Sequence, residues 1–127
     1  MKSQKTILIV EDEISLRDAL CDKLTHDGFL AYAAKNGEEG LSMAIEKKPD
    51  LILLDIVMPV MGGVAMLKEL RKDEWGKKAK VMMLTNLASD ADKLAEVLEN
   101  DVTEYLVKAS TPLEEIVGKI KNKLNVH

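Results

Sequence analysis

Five short apolar runs, each followed by an amphipathic stretch, constrain what this chain can fold into. The first run is Thr6-Ile7-Leu8-Ile9-Val10, and its β-branched content and length predict a strand buried on both faces. Ser15 to Asp27 reads as a helix, with Leu16, Ala19, Leu20 and Leu24 at helical spacing and Gly28 as the stop. Phe29 to Ala34 is the second strand. Asn36 opens the next helix as cap, with Glu39 placed to reach back as in a capping box, and Pro49 follows its end. Leu51-Ile52-Leu53-Leu54 is the third strand, and Asp55 to Gly63 is a loop rich in Met, Pro and Gly. Val64 to Lys72 is helical, Lys80 to Leu84 is a strand, Ser89 to Glu99 a helix, and Thr103 to Val107 a strand. The last helix starts at Thr111-Pro112-Leu113-Glu114, with Thr111 as cap, Pro112 at the first position and Glu114 as the return arm. Apolar strands alternating with helices predict an α/β fold: a doubly wound (βα)₅ sandwich around a parallel sheet.

Its 127 residues suit one domain, with a core over about 5–125 and no room for an effector domain. Apolar residues at 46% exclude wholesale disorder. A single cysteine, Cys21, excludes an internal disulfide and a cysteine-based zinc site. With 18 basic residues against 22 acidic ones, the formal charge of −4 speaks against direct nucleic-acid binding. No apolar run is long enough to span a bilayer or to serve as a signal peptide, so a cytoplasmic location and no membrane partner are expected.

In a sheet of this kind ligands bind beyond the carboxyl ends of the strands. The first strand delivers Glu11, Asp12 and Glu13 there, the third Asp55, the fourth Thr85 and Asn86, and the fifth Lys108. Clustered carboxylates repel one another, and a hard divalent cation such as Mg²⁺ is the natural offset. A cation, a lysine and a hydroxyl around a carboxylate suit phosphoryl transfer, with Asp55 as the nucleophile that forms an acyl phosphate. Taken singly, each residue has a bland reading. Asp55 would be a turn residue, Glu11-Asp12-Glu13 a solvated helix start, Lys108 a surface lysine, Thr85 structural, and Tyr105 half-buried packing. Their joint placement at the strand ends is what carries the functional reading.

The set Glu11-Asp12, Asp55, Thr85 and Lys108 resembles the response-regulator receiver domain, the chemotaxis-regulator fold of two-component signalling. The strings Ile9-Val10-Glu11-Asp12-Glu13, Leu53 to Gly63 and Tyr105-Leu106-Val107-Lys108 match it locally. The resemblance implies a flavodoxin-like sheet in order 2-1-3-4-5. It implies that Asp55 accepts a phosphoryl group from a phosphohistidine on a sensor histidine kinase or phosphotransfer protein. Asp12 and Asp55 would ligate Mg²⁺, or Mn²⁺ in its place, with the backbone carbonyl of Val57, and Glu11 would act through a water. Thr85 and Lys108 would hold the phosphoryl oxygens. Thr85 and Tyr105 would form the switch, remodelling the face made by the predicted helix over 89–99, the fifth strand and the last helix. That face would control a protein target, in a monomer or a phosphorylation-dependent dimer. The chain would catalyse its own phosphotransfer and slow dephosphorylation without being an enzyme.

The chain departs from the family pattern at two positions. Ala109 follows Lys108 where proline is usual, so a trans bond is expected and the lysine is held less firmly. Asn86 stands where a small residue is usual and would overhang the site, slowing small phosphodonors. Val57 and Leu87 flank the mouth, and apolar side chains there cannot orient a water, which predicts a long-lived phosphate. Alternatives from other classes are an unphosphorylated interaction module, an aspartate-nucleophile phosphatase and a flavodoxin. The phosphatase lacks its D-x-D pair here, and the acidic loop after the first strand would repel a flavodoxin's phosphate. Trp75 is expected at the opposite end of the sheet from the site, Met58 in the loop beside Asp55 rather than in the core, and Lys119, Lys121 and Lys123 on a solvated face.

Overall fold

The computed structural model describes residues 4–85, 104–108 and 111–126. Asn86, Leu87, Ala109 and the predicted helix over 89–99 lie outside them. The described elements are β1 (Thr6–Val10), α1 (Ile14–His26), β2 (Leu30–Ala34), α2 (Gly37–Lys47), β3 (Leu51–Asp55) and α3 (Gly63–Lys72). A short 3₁₀ turn (Gly76–Lys78), β4 (Val81–Thr85), β5 (Glu104–Val107) and the C-terminal helix α4 (Leu113–Lys123) follow. The strands form one parallel sheet in the order β2-β1-β3-β4-β5. Both the α/β class and the order 2-1-3-4-5 are as expected.

Side chains alternate across a strand, so a strand covered on both faces must be apolar throughout. β3 meets that condition: Leu51, Ile52, Leu53 and Leu54 are all fully buried. Ile52 and Leu54 join Met66, Leu67 and Leu70 of α3 and Ala44 of α2 on one face. Leu51 and Leu53 join Leu20 and Leu24 of α1 and Ile116, Val117 and Ile120 of α4 on the other. Met58 packs into the first of these cores at 8% exposure, so it is a core residue as well as a loop residue, contrary to expectation. Among the described residues, no helix is long and apolar enough to cross a membrane.

Local signals act with small shifts of frame. Asn36 caps α2 by accepting from the Glu39 N–H at 2.8 Å. The Glu39 carboxylate accepts from the Lys35 N–H at 3.4 Å instead of closing the box on Asn36. Pro112, not Thr111, is the N-cap of α4, and no side chain caps that end. The extended ψ of 153° at Pro112 delays the helix by one residue, and its carbonyl accepts from the Glu115 and Ile116 N–H groups at 3.0 and 3.1 Å. Lys121 is no solvated bystander, since its Nζ lies 2.9 Å from Asp27 Oδ2 and ties α4 to the end of α1. Lys121 and then Lys23 hold the Asp27 carboxyl below its ordinary range, against the opposing effect of burial.

Gly118 lies inside α4, and a Cβ built there meets no atom within 4 Å. Gly118→Ala is therefore expected to stabilise the protein by about 0.5–1 kcal/mol, because glycine alone must surrender its extra backbone freedom to become helical. Urea unfolding measures it, and an unchanged midpoint would contradict the open space around this position.

Candidate functional site

The carboxyl ends of β1, β3, β4 and β5 all open onto one side of the sheet. Register places them side by side: Val10 pairs with Leu54, Asp55 with Leu84, and Thr85 with Val107. The next residue on each chain path, or the last of the strand, carries the chemistry. Among the described residues, the buried polar or charged ones are Glu11, Asp55 and Thr85, and all three sit here. A core that is apolar elsewhere tolerates polar groups only where they find partners.

Lys108 is the main partner. Its Nζ lies 3.0 Å from Glu11 Oε1, 3.3 Å from Asp55 Oδ2 and 4.0 Å from Glu13 Oε2. It is held there because its N–H donates to the Thr85 carbonyl at 2.9 Å, extending the β4–β5 ladder by one residue. The Lys108–Asp55 contact is a hydrogen bond. The approach to Glu11 Oε1 is an ion pair without hydrogen-bond alignment, so that fully buried oxygen makes no hydrogen bond. Glu11 Oε2 accepts from the Glu13 N–H at 2.9 Å. Asp12 is exposed beside them.

The charges do not balance. One ammonium serves two buried carboxylates, and Asp12 and Glu13 add to the excess. Burial first, and then the Glu11 charge, push the Asp55 carboxyl up to about 7, with Lys108 pulling the other way. Burial pulls the Lys108 ammonium down, but Glu11 and Asp55 outweigh it and hold the ammonium above its ordinary value. Burial leads for Asp55, the neighbouring carboxylates prevail for Lys108, and in both cases the local excess of anions over the one cation adds to the shift.

Carboxylate oxygens of Glu11, Asp12 and Asp55 lie within 4.8 Å of one another. An all-oxygen donor set with one buried oxygen lacking a hydrogen bond fits a hard divalent cation. Val57 lies two residues after Asp55 on the β3–α3 loop and is 48% exposed. Tyr105, on β5 opposite Met83, is 41% exposed.

Two features of the site escaped the sequence reading. Arg17 Nη1 donates to the Glu11 carbonyl at 3.0 Å, so α1 holds the β1 end in place. Only its position on the first turn of α1 could have hinted at this. Val60 has φ +67°, with the Met61 N–H donating to the Pro59 carbonyl at 2.7 Å across it. That is a γ-turn on a β-branched residue, a conformation that costs on the order of 1–3 kcal/mol. Two clamps hold the loop around it: Gly63 N–H donates to the Ile56 carbonyl, and Gly37 N–H to the Met61 carbonyl, both at 2.8 Å. A Cβ on Gly63 would be driven into the Asp55 carbonyl, which is why helix α3 can begin this close to β3.

Comparison with known proteins places this geometry. The family model described as "Response regulator receiver domain" matches residues 7–121. The phosphate regulon transcriptional regulatory protein PhoB of Pseudomonas aeruginosa is 32% identical over 117 residues, covering 92% of this chain and 50% of that protein. The chain thus spans about half the length of the curated relatives it matches. Among solved structures, the CheY-like receiver domain protein of Methanospirillum hungatei superposes with a TM-score of 0.87 at 29% identity, covering 97% of this chain and 95% of that one. The response regulator TrrA of Thermotoga maritima, solved in complex with Mg²⁺-BeF, gives 0.78 at 34% identity, covering 94% and 98%. The chain belongs to the response-regulator receiver family, the signalling module of two-component systems rather than a classical enzyme.

Proposed function

We propose that Asp55 is the phosphoacceptor of this receiver and takes its phosphoryl group from a phosphohistidine on a histidine kinase or phosphotransfer protein. The observation that carries the reading is the burial of Glu11 and Asp55 around one lysine, with Thr85 on the neighbouring strand. An Asp55 oxygen attacks phosphorus, the phosphorus–nitrogen bond breaks, and the imidazole leaves with the electron pair. Lys108 and Thr85 are assigned to the phosphoryl oxygens, where negative charge gathers. Asp12 and Asp55, with the Val57 carbonyl, are the residues that would hold Mg²⁺, and Glu11 would act through a bound water. Mg²⁺, when bound, supplies the positive charge that Lys108 alone cannot. It also favours the ionised Asp55, which the transfer requires.

Thr85 and Tyr105 are assigned to the switch, and the face around β5 to a protein target. The acidic charge balance favours output by protein contact over direct nucleic-acid binding by this domain. Asn86, Leu87 and Ala109 keep their modulating roles on the resemblance alone. Intact mass after incubation with a small phosphodonor and Mg²⁺ tests the reading. One phosphate adduct is expected in the wild type, none in Asp55→Asn, and none with chelator. No adduct from a phosphohistidine donor either would overturn it in favour of an interaction module.

A further inference from the structure

The opposite pole of the sheet carries a cleft of about 340 Å³ that the phosphotransfer site does not use. Its walls come from the strand starts: Lys5 precedes β1, Asp50 precedes β3 and Lys80 precedes β4. Lys48, the left-handed cap of α2, and Lys78 of the 3₁₀ turn complete the rim, and half-buried Trp75 lies beside them. The chain is acidic as a whole, yet this cleft sets four lysines against one aspartate.

Helix carboxyl ends gather at this pole, and lysines are favoured there by the helix dipole. That account does not absorb these residues. The end of α2 is closed by the Lys48 N–H on the Ala44 carbonyl at 2.8 Å. The end of α4 is closed by the Leu124 N–H on Ile120 and the Val126 N–H on Lys121, at 3.1 and 2.9 Å. Lys80 Nζ caps the Lys123 carbonyl at 3.2 Å. Asp50 Oδ2 is taken by the Thr6 N–H at 2.7 Å. The ammonium groups of Lys5, Lys48 and Lys78 meet no partner among the described residues. Three uncommitted cations on separate elements around one concavity create a local positive potential, and lysine serves phosphate as a point charge. The volume is at the lower end of small-molecule pockets, too small for a macromolecular groove.

We propose that this cleft binds a small molecule carrying two or more phosphate groups, either an inorganic polyphosphate or a nucleotide. Trp75 is the only tryptophan, so its fluorescence reports on the cleft. The full chain is titrated in EDTA with tripolyphosphate, with ATP, and with potassium chloride at matched ionic strength. Calorimetry repeats each titration, so that a silent indole decides nothing. Saturable binding is expected, at least tenfold weaker in the Lys48→Gln/Lys78→Gln double variant and unchanged in Asp55→Asn. Equal affinities would assign the site to inorganic polyphosphate, and tighter binding of ATP to a nucleotide. The proposal is overturned by no saturable binding of either, by binding that survives the double substitution, or by a signal that chloride reproduces.

Discussion

Replacing Lys108 by methionine is expected to lower stability by about 3 kcal/mol at neutral pH in metal-free buffer, the scale of breaking a buried ion pair by removing one partner. The stem volume is kept, so the loss is electrostatic. Lys108 is 16% exposed and faces Glu11 at 0% and Asp55 at 5%. Without it, both carboxylates are buried beside each other with no counter-charge. Proton uptake by Asp55, already pushed up to about 7, limits the damage and keeps the cost near the lower end of the range. Asp55→Asn in the same chain should return much of the loss, because it removes one of the two charges that Lys108 was neutralising. Urea unfolding of the wild type, both single variants and the double variant forms a cycle, and a coupling above about 1 kcal/mol is expected for groups in contact. Additive changes would mean that Lys108 does not hold Asp55 in solution.

What the sequence disclosed follows from how each feature is encoded. β3 was legible because a strand buried on both faces must be apolar at every position, and Leu51 to Leu54 are. The site residues were legible because strand ends fall at predictable places once the strands are found. The strand order rested on the family resemblance, since the apolar pattern does not say which strand lies beside which. The start of α4 was misplaced by one residue because Thr-Pro-Leu-Glu fits a helix beginning at either Pro112 or Leu113, and only the backbone angle separates them. Arg17 binds a backbone carbonyl, an acceptor that every residue offers, so nothing in the chain marks it. Lys121 finds Asp27 across the fold, which helical spacing cannot foresee. Val60 misleads actively, since a β-branched residue argues against the positive φ that the loop imposes.

Asp55→Asn alone is expected to make the metal-free protein more stable, and the gain should depend on pH. An aspartate in the unfolded chain titrates near 3.9, as a general reference value. Burial and the Glu11 charge raise Asp55 to about 7 in the folded chain. Between those values the native state holds a proton that the unfolded state has lost, so wild-type stability falls as pH rises through that window. Below the unfolded value the carboxyl is neutral in both states and the penalty is absent. Above the folded value the penalty is complete, at most about 4 kcal/mol. Asparagine never ionises, so the variant lacks this term at every pH. The difference between variant and wild type should therefore grow from pH 4 to pH 7 and then level off. Mg²⁺ added at pH 7 should raise the wild-type midpoint more than that of Asp55→Asn, because a bound cation stabilises the ionised carboxylate that burial opposes. A difference that stays constant from pH 4 to 8 would show that Asp55 keeps an ordinary carboxylate pKa. In that case Lys108 would already neutralise it, and the excess negative charge would rest on Glu11 and Asp12 instead.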